Sequence, residues 1–217
     1  MHSKWKLVIF DCDGVLVDSE TISCGVVAEM STELGYPMSA KEGLQTFAGT
    51  SLNFVVQYIE EKTSKKIPYP FEEAYRLRTT EAFKSQLQPI IGVREALQQI
   101  PLLKCVASNG PLEKVKSNLS ITGLRSFFPQ HLFSAYQVQR WKPDPALFLY
   151  AAKTLGVAPA DCIVVEDSTH GVEAAIAAGM DILGFPGSTT PELLRAAGAK
   201  VLPTMQALPG ILYGTSY

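Results

Sequence analysis

Short apolar segments alternate with segments of helical character along the chain from about residue 89 onward. Together with the apolar run at 7–10, the predicted strands are LVIF, LLKCVASNG, HLFSAY, CIVVEDS, MDILGF and KVLP. The predicted helices between them are PLEKVKSNLSITGL, PDPALFLYAAKTLG, THGVEAAIAAG and PELLRAAGA. Strands and helices that alternate in this way predict an α/β fold with a doubly wound, mostly parallel sheet.

Residues 19–86 have a different pattern, because they contain no convincing strand. The predicted helices of this stretch cover 20–34, 40–47, 51–62 and 71–86. Because these helices directly follow the first strand, we interpret them as an insertion into the α/β domain. We therefore predict two domains, an α/β core of residues 1–17 and 86–217 and a helical domain of residues 18–85.

The composition restricts the classes of partner. With 217 residues, of which 47% are apolar and 18% charged, the chain is expected to form a globular protein with a sizeable core. Its 19 basic and 21 acidic residues give a net charge of −2 without a basic stripe, which argues against nucleic acid as a partner. No apolar run is long enough to predict a signal peptide or a membrane span.

The four cysteines have no CxxC spacing, which predicts reduced and mostly buried thiols in a cytoplasmic protein. Cys12 lies between two aspartates, which raise the pKa of a thiol, so we do not expect it to be a nucleophile. No heptad repeat or apolar stripe predicts a stable oligomer. A monomer or a weak homodimer is therefore expected.

The first predicted strand runs directly into Asp11 and Asp13. Residues two apart on an extended strand point the same way, so the two carboxylates are expected to converge on one reacting centre. A DxDG segment can also be a simple turn. Three further polar clusters at or just after strand ends favour a functional site over that alternative.

These clusters are SNG after CVA, RWKPDP after HLFSAY, and EDS after IVV. If the sheet is parallel, all of them meet at the edge where such folds bind ligands. Glu166 and Asp167 add carboxylates from another strand, and oxygen ligands of this kind suit Mg²⁺. An alternative role for Asp167 is to cap the following helix.

Ser108 and Asn109 precede a helix that Pro111 can open, which predicts a phosphate cradle of a hydroxyl and backbone N–H groups. An ordinary Ser N-cap is the alternative. Lys142 is the expected countercharge for the acids and for a substrate phosphate. A single loop lysine can equally well be solvated.

The segments DCDGVLVDS, VASNG, WKPDP and VVEDSTHG occur in this order, and through them the chain resembles the haloacid dehalogenase-like phosphohydrolases over essentially its full length. The resemblance implies a Rossmann-like core and a helical cap at about residues 18–85, as in the β-phosphoglucomutase-like subgroup. The SNGP and RWKPDP segments are similar to those of bacterial phosphatases that act on 6-phosphogluconate and related sugar phosphates. A small-molecule phosphate ester is therefore the expected substrate.

The resemblance also implies a role for each matching residue. Asp11 would be the nucleophile that forms an aspartyl-phosphate, and Asp13 would be the general acid and base. Mg²⁺ would be held by the Asp11 carboxylate, the Asp13 backbone carbonyl and Asp167, with Glu166 bound directly or through water. The phosphoryl oxygens would be held by Ser108, the Asn109 backbone N–H and Lys142.

Asp13 distinguishes phosphate esters from the other substrates of this superfamily, because dehalogenases and phosphonatases lack an acid at that position. A β-phosphoglucomutase-type phosphomutase is the alternative. Such mutases carry a His at the position of Ser23. They also carry basic residues in the loop that matches residues 47–53, whereas that segment is FAGTSLN here and has no Lys or Arg. Hydrolysis is therefore the predicted reaction.

A non-catalytic regulator on the same fold is a further alternative, but it would be expected to lack one of these acids or the lysine, and all of them are present. If the substrate carries a carboxylate, it needs a cationic partner. Arg76, Arg78 and Arg140 are the candidates for that contact, with solvated surface positions as the alternative for the first two.

Overall fold

Six strands form a sheet in the computed structural model, which describes residues 3–214. They are β1 (Leu7–Phe10), β2 (Leu103–Ser108), β3 (Leu132–Ser134), β4 (Cys162–Glu166), β5 (Asp181–Gly184) and β6 (Lys200–Val201). Their order across the sheet is β3-β2-β1-β4-β5-β6, and every neighbouring pair is parallel. The predicted doubly wound α/β fold is therefore confirmed, with an entirely parallel sheet.

The register places the polar strand ends at one edge. Phe10, the last residue of β1, pairs with Val106 of β2 on one side and with Val165 of β4 on the other. β1 is central, and all four of its residues are fully buried. The residues that follow β1, β2 and β4 are consequently held side by side by strands that are themselves fixed in the core.

The helices are α1 (Glu20–Glu33), α2 (Ala40–Phe47), α3 (Leu52–Thr63), α4 (Phe71–Gln86), α5 (Val93–Gln99), α6 (Leu112–Ile121), α7 (Ala135–Val138), α8 (Ala146–Thr154), α9 (Thr169–Ala177), α10 (Pro191–Ala196) and α11 (Leu208–Tyr213). Short 3₁₀ helices cover Arg125–Phe127, Pro159–Asp161 and Met205–Ala207. No helix among residues 3–214 is both long and apolar enough to cross a membrane.

The four helices predicted between residues 20 and 86 are present within one residue of their predicted bounds. The short helices α5, α7 and α11 were not predicted. α7 begins within the segment HLFSAY, where the strand prediction is too long. The strand ends at Ser134, whose side chain accepts a hydrogen bond from the Tyr136 N–H and caps the start of the helix.

Tertiary contacts divide the chain into two compact units. The first, the α/β unit, consists of the residues up to Val17 and those from Gln88 onward, and it contains the sheet. The second, the helical unit, is Asp18–Leu87 and contains α1 to α4. That the helical unit acts as a cap stays a prediction.

The helical unit has its own apolar core. Met30 and Ile59 are fully buried there, with Val27 and Phe71 nearly so. In the α/β unit, Leu7 and Ile9 point to the face of the sheet that is covered by α8 and α9 through small residues such as Ala151 and Ala174. Each fully buried Leu or Ile side chain stabilises its unit by about 1.5–3 kcal/mol, so either core is substantial.

Candidate active site

The chain turns sharply directly after β1. Asp11 follows the last strand residue, and the N–H groups of Leu16 and Val17 both donate to the carbonyl oxygen of Cys12. Gly14 has a φ of +79°, which L side chains rarely adopt. Because the strand ends at Phe10, the rule that residues two apart point the same way does not apply to Asp11 and Asp13, and their carboxylates have different partners.

Asp11 is bound by a buried lysine. Lys142 Nζ lies 2.6 Å from Asp11 Oδ1 and 2.7 Å from Glu166 Oε1, and it sits 4.9 Å from the centre of the Phe148 ring. The lysine side chain is only 3% exposed. Burial by itself lowers the pKa of Lys142, but the two carboxylates raise that pKa above its ordinary value. The lysine therefore stays protonated, and its predicted contact with the acids is present.

Three buried carboxylates come together at this point. Oxygens of Asp11, Glu166 and Asp167 lie within 4.8 Å of one another. Lys142 is the one buried cation among the described residues, so negative charge is in surplus. Burial raises the pKa of Asp11 to about 7, with Lys142 opposing this rise and Glu166 reinforcing it.

This donor set fits a hard divalent cation, since carboxylate oxygens from two strand ends converge and carry uncompensated charge. Asp11 follows β1, while Glu166 is the last residue of β4 and Asp167 comes next. The Asp13 carboxylate does not belong to this cluster, and coordination by the Asp13 backbone carbonyl stays a prediction.

Ser168 arranges the Glu166 side chain. Both its N–H and its hydroxyl donate to Glu166 Oε2, at 2.7 and 2.9 Å, while Oε1 faces Lys142. The Ser168 hydroxyl also accepts the Gly171 N–H and is thereby the N-cap of α9. The alternative role of Asp167 as the cap of this helix is therefore wrong, because the cap is the next residue, Ser168.

Two glycines make room for the acids. A Cβ atom at Gly171 would lie 1.9 Å from Glu166 Cδ, and one at Gly14 would lie 2.1 Å from Asp167 Oδ2. Neither position can accept a side chain unless a carboxylate moves. The carboxylates of Glu166 and Asp167 therefore pack directly against the backbone at Gly171 and Gly14, where no larger residue fits.

The residues predicted to bind phosphate lie at the end of β2. Ser108 is its last residue, and its hydroxyl oxygen accepts the Gly110 N–H at 3.1 Å. Pro111, and not Ser108, is the N-cap of α6, so the ordinary-cap alternative is wrong. The Asn109 side-chain oxygen accepts the backbone N–H of Lys142 at 3.0 Å, which ties the two loops together. Binding of phosphate by the backbone N–H of Asn109 stays a prediction.

Asp13 has partners that the sequence interpretation did not identify. Lys114 Nζ lies 2.8 Å from Asp13 Oδ2, and Asn118 Nδ2 lies 3.4 Å from Asp13 Oδ1. Ser168 was missed as well. The spacing of Lys114 and Asn118 predicts only that they share one face of a helix, and it does not reveal that this face meets Asp13.

The remaining predictions concern surface groups and thiols. The arginines named as candidates for a substrate carboxylate are each paired with an acid: Arg76 with Glu72, Arg78 with Glu33 and Arg140 with Asp144. All four cysteines are buried and free, as predicted. Burial, followed by the charges of Asp13 and Asp11, raises the pKa of Cys12 well above its ordinary value. Cys12 is accordingly no thiolate nucleophile.

Comparison with known proteins relates this site to a family. Residues 8–185 match the model of the haloacid dehalogenase-like hydrolases. The chain is 37% identical over 184 residues to the 6-phosphogluconate phosphatase of Escherichia coli K12, a match that covers 84% of this chain and 83% of that protein.

Solved structures agree with the fold. One similar structure is the crystal structure of a HAD family hydrolase from Deinococcus radiodurans R1 with bound phosphate and sodium. The two chains are 28% identical and superpose with a TM-score of 0.87, and the match covers 99% of this chain and 97% of the other. A putative β-phosphoglucomutase from Thermotoga maritima has a TM-score of 0.82 and 27% identity, and the match covers 97% of this chain and all of the other.

Proposed function

The chain belongs to the haloacid dehalogenase-like hydrolase family, and from that membership we propose that it is a Mg²⁺-dependent phosphatase of small phosphorylated metabolites. The observation that carries the proposal is one buried ammonium among three buried carboxylates at the carboxyl ends of β1 and β4. Sugar phosphates such as 6-phosphogluconate are the proposed substrates, because the Escherichia coli relative is named for that substrate.

Asp11 is the proposed nucleophile. One of its carboxylate oxygens attacks phosphorus, forms an aspartyl-phosphate and breaks the bond to the alcohol oxygen, which takes a proton from Asp13. A water molecule then gives its proton to Asp13 and attacks the same phosphorus, which releases phosphate and restores the Asp11 carboxylate. Lys142 holds the other Asp11 oxygen and orients the attacking one.

Charge neutralisation and positioning dominate phosphoryl transfer. The phosphoryl oxygens are proposed to bind Lys142, the Ser108 hydroxyl and the Asn109 backbone N–H. The metal ligands are proposed to be the Asp11 carboxylate, the Asp13 backbone carbonyl and Asp167. Glu166 would contribute directly or through water, and its two oxygens also face Lys142 and Ser168. When bound, Mg²⁺ supplies positive charge to the transferred phosphoryl group.

Hydrolysis is favoured over phosphomutase activity. A mutase has to retain a second phosphate while the sugar bisphosphate reorients, which calls for cationic donors. The loop at 47–53 has no Lys or Arg, and Arg76 and Arg78 of the helical unit are paired with acids. The helical unit is proposed to act as a cap that selects the substrate.

The test is a panel of phosphate esters assayed with the full chain, containing p-nitrophenyl phosphate, 6-phosphogluconate and other sugar phosphates. We expect phosphate release with Mg²⁺ and loss of that release when EDTA removes the metal. Turnover that is independent of metal, or no turnover of any ester, would contradict the proposal. β-Glucose 1-phosphate is included because its conversion to glucose 6-phosphate without phosphate release would identify a mutase.

A further inference from the structure

The two aspartates of the DCD segment are each held by a lysine, and the two lysines lie on different elements. Asp11 is paired with Lys142, which is buried and follows α7. Asp13 is paired with Lys114, which lies in the first half of α6, 101 residues further along the chain. The role of the second pair is not explained by the cluster of buried acids, because the Asp13 carboxylate does not belong to that cluster.

Both oxygens of the Asp13 carboxylate have a donor on α6. Lys114 Nζ contacts Oδ2 at 2.8 Å, and Asn118 Nδ2 contacts Oδ1 at 3.4 Å. Lys114 and Asn118 are one helical turn apart and share a face of the helix. A carboxylate with a donor at each oxygen is restricted in rotation as well as in position.

The helix itself is fixed at this point. Asn118 is only 2% exposed, and its backbone carbonyl accepts the hydroxyl of Thr122 at 2.8 Å. Val115 and Leu119, on the same helix, are buried in the core. The donors to Asp13 are therefore mounted on a rigid element, which is what precise positioning of a reacting group requires.

Stability does not account for the Lys114 pair. The Asp13 and Lys114 side chains are 30% and 39% exposed, and ion pairs this accessible to water contribute little to folding because solvent screens them. The position of the Asp13 carboxyl group, in contrast, can affect the reaction rate. A proton donor has to lie within hydrogen-bond reach of the leaving oxygen, and misplacement by about 1 Å can lower a rate about a hundredfold.

We propose that Lys114 and Asn118 are positioning residues that hold the Asp13 carboxyl group where it delivers its proton to the leaving alcohol oxygen. This inference rests on the proposed phosphatase function. It assigns to α6 a role in leaving-group departure, distinct from the charge neutralisation that Lys142 provides at Asp11.

The test compares two classes of ester. A sugar phosphate releases a strongly basic alkoxide and depends on protonation by Asp13, whereas p-nitrophenyl phosphate releases a stable anion and does not. The specificity constant kcat/KM reports the first irreversible step, the formation of the aspartyl-phosphate, so the later role of Asp13 as a base does not mask the difference.

Lys114→Met is expected to lower kcat/KM for the sugar phosphate about ten- to a hundredfold and to leave that for p-nitrophenyl phosphate roughly unchanged. Lys114→Arg should restore most of the loss, because it keeps a cationic donor. Asn118→Leu should have a smaller effect in the same direction, since its contact is longer and neutral. The matched control is Lys116→Met on the same helix, whose lysine pairs with exposed Glu113 at 2.7 Å and should leave both esters unaffected.

Equal loss on both esters, or no loss on either, would overturn the positioning role. A crystal structure of Lys114→Met in which the Asp13 carboxylate keeps its place would overturn it as well, whatever the kinetics. These outcomes differ from failure of the proposed function, in which the wild-type protein would hydrolyse no phosphate ester at all.

Discussion

The α/β unit and the helical unit differ in where they place charge. Among the described residues, buried acidic and basic side chains lie in the α/β unit alone, and they are Asp11, Lys142, Glu166 and Asp167. The buried polar side chains of the helical unit are the hydroxyls of Ser19, Ser31 and Thr79. Its ion pairs have at least one substantially exposed partner.

Burying charge opposes folding unless the charge is paired, and apolar side chains in the same place are often as stable or more so. The α/β unit therefore retains its buried charges at the expense of stability, which is typical of a site with a chemical task. The helical unit is held together by apolar packing instead. The contrast places the buried acids and the lysine of the candidate site in one unit.

Asp11→Asn is the substitution with the largest expected effect on this contrast. The amide cannot form an aspartyl-phosphate, so kcat for every phosphate ester should fall at least about a thousandfold. The shape of the side chain is kept, and the fold should persist by circular dichroism. Full activity of this variant with p-nitrophenyl phosphate and Mg²⁺ would show that Asp11 is not the nucleophile.

Lys142→Met tests the stability side of the comparison. It leaves three buried carboxylates without their ammonium and should lower the free energy of unfolding by about 3–5 kcal/mol. The corresponding fall in Tm is about 10 °C, measured in EDTA by calorimetry. Added Mg²⁺ should recover part of that fall, because it neutralises the same carboxylates.

The matched change in the helical unit is Arg76→Met. It removes the partner of Glu72, at 2.7 Å, from a pair in which both side chains are more than half exposed. Such pairs contribute little, so Tm should not change measurably. Equal shifts for Arg76→Met and Lys142→Met would mean that the two units do not differ as described.

The pH dependence of stability sharpens the contrast further. The pKa of Asp11 is raised from 3.8 to about 7, so the folded protein binds this proton more tightly than the unfolded chain. The resulting stabilisation is complete below the unfolded pKa and is lost as the pH rises through the folded one. In EDTA, urea unfolding of the wild type should therefore show a larger loss of stability between about pH 5 and pH 8 than that of Asp11→Asn. Identical losses would contradict the assignment of this proton to Asp11.

Substitutions in segment 47–53 of the helical unit, which joins α2 to α3, should have the smallest effects on activity. The loop is held at Gly49, whose N–H donates to the Glu20 carboxylate. If this segment selects the substrate, Thr50→Val in the loop or Leu52→Ala at the first residue of α3 should change the ratio of kcat/KM between two sugar phosphates about two- to tenfold. Leu77→Ala, at a position on α4 that is 73% exposed, is the control. Unchanged kcat/KM ratios for both variants would show that this segment does not determine substrate specificity.

The helical unit could be predicted closely from the sequence because its signals are local. Ser39 and Glu42 form a capping box at the start of α2, and Ser51 caps α3. The strands β1 and β4 were equally readable as apolar runs that end in acids. The end of β3 was misplaced, since α7 begins within the segment that was interpreted as strand.

The sequence by itself determined the α/β class, the helical insertion and the acids, serine and lysine that the family resemblance singles out. The tertiary structure alone decided how they pair: Asp11 with a lysine 131 residues away, and Asp13 with another lysine 101 residues away. The physical reason is that helices, strands and caps depend on neighbours a few residues apart, which a pattern can reveal. A pair separated by more than a hundred residues forms only when the fold brings its two segments together. The turn after Phe10 places the Asp13 carboxylate beside Lys114 on α6.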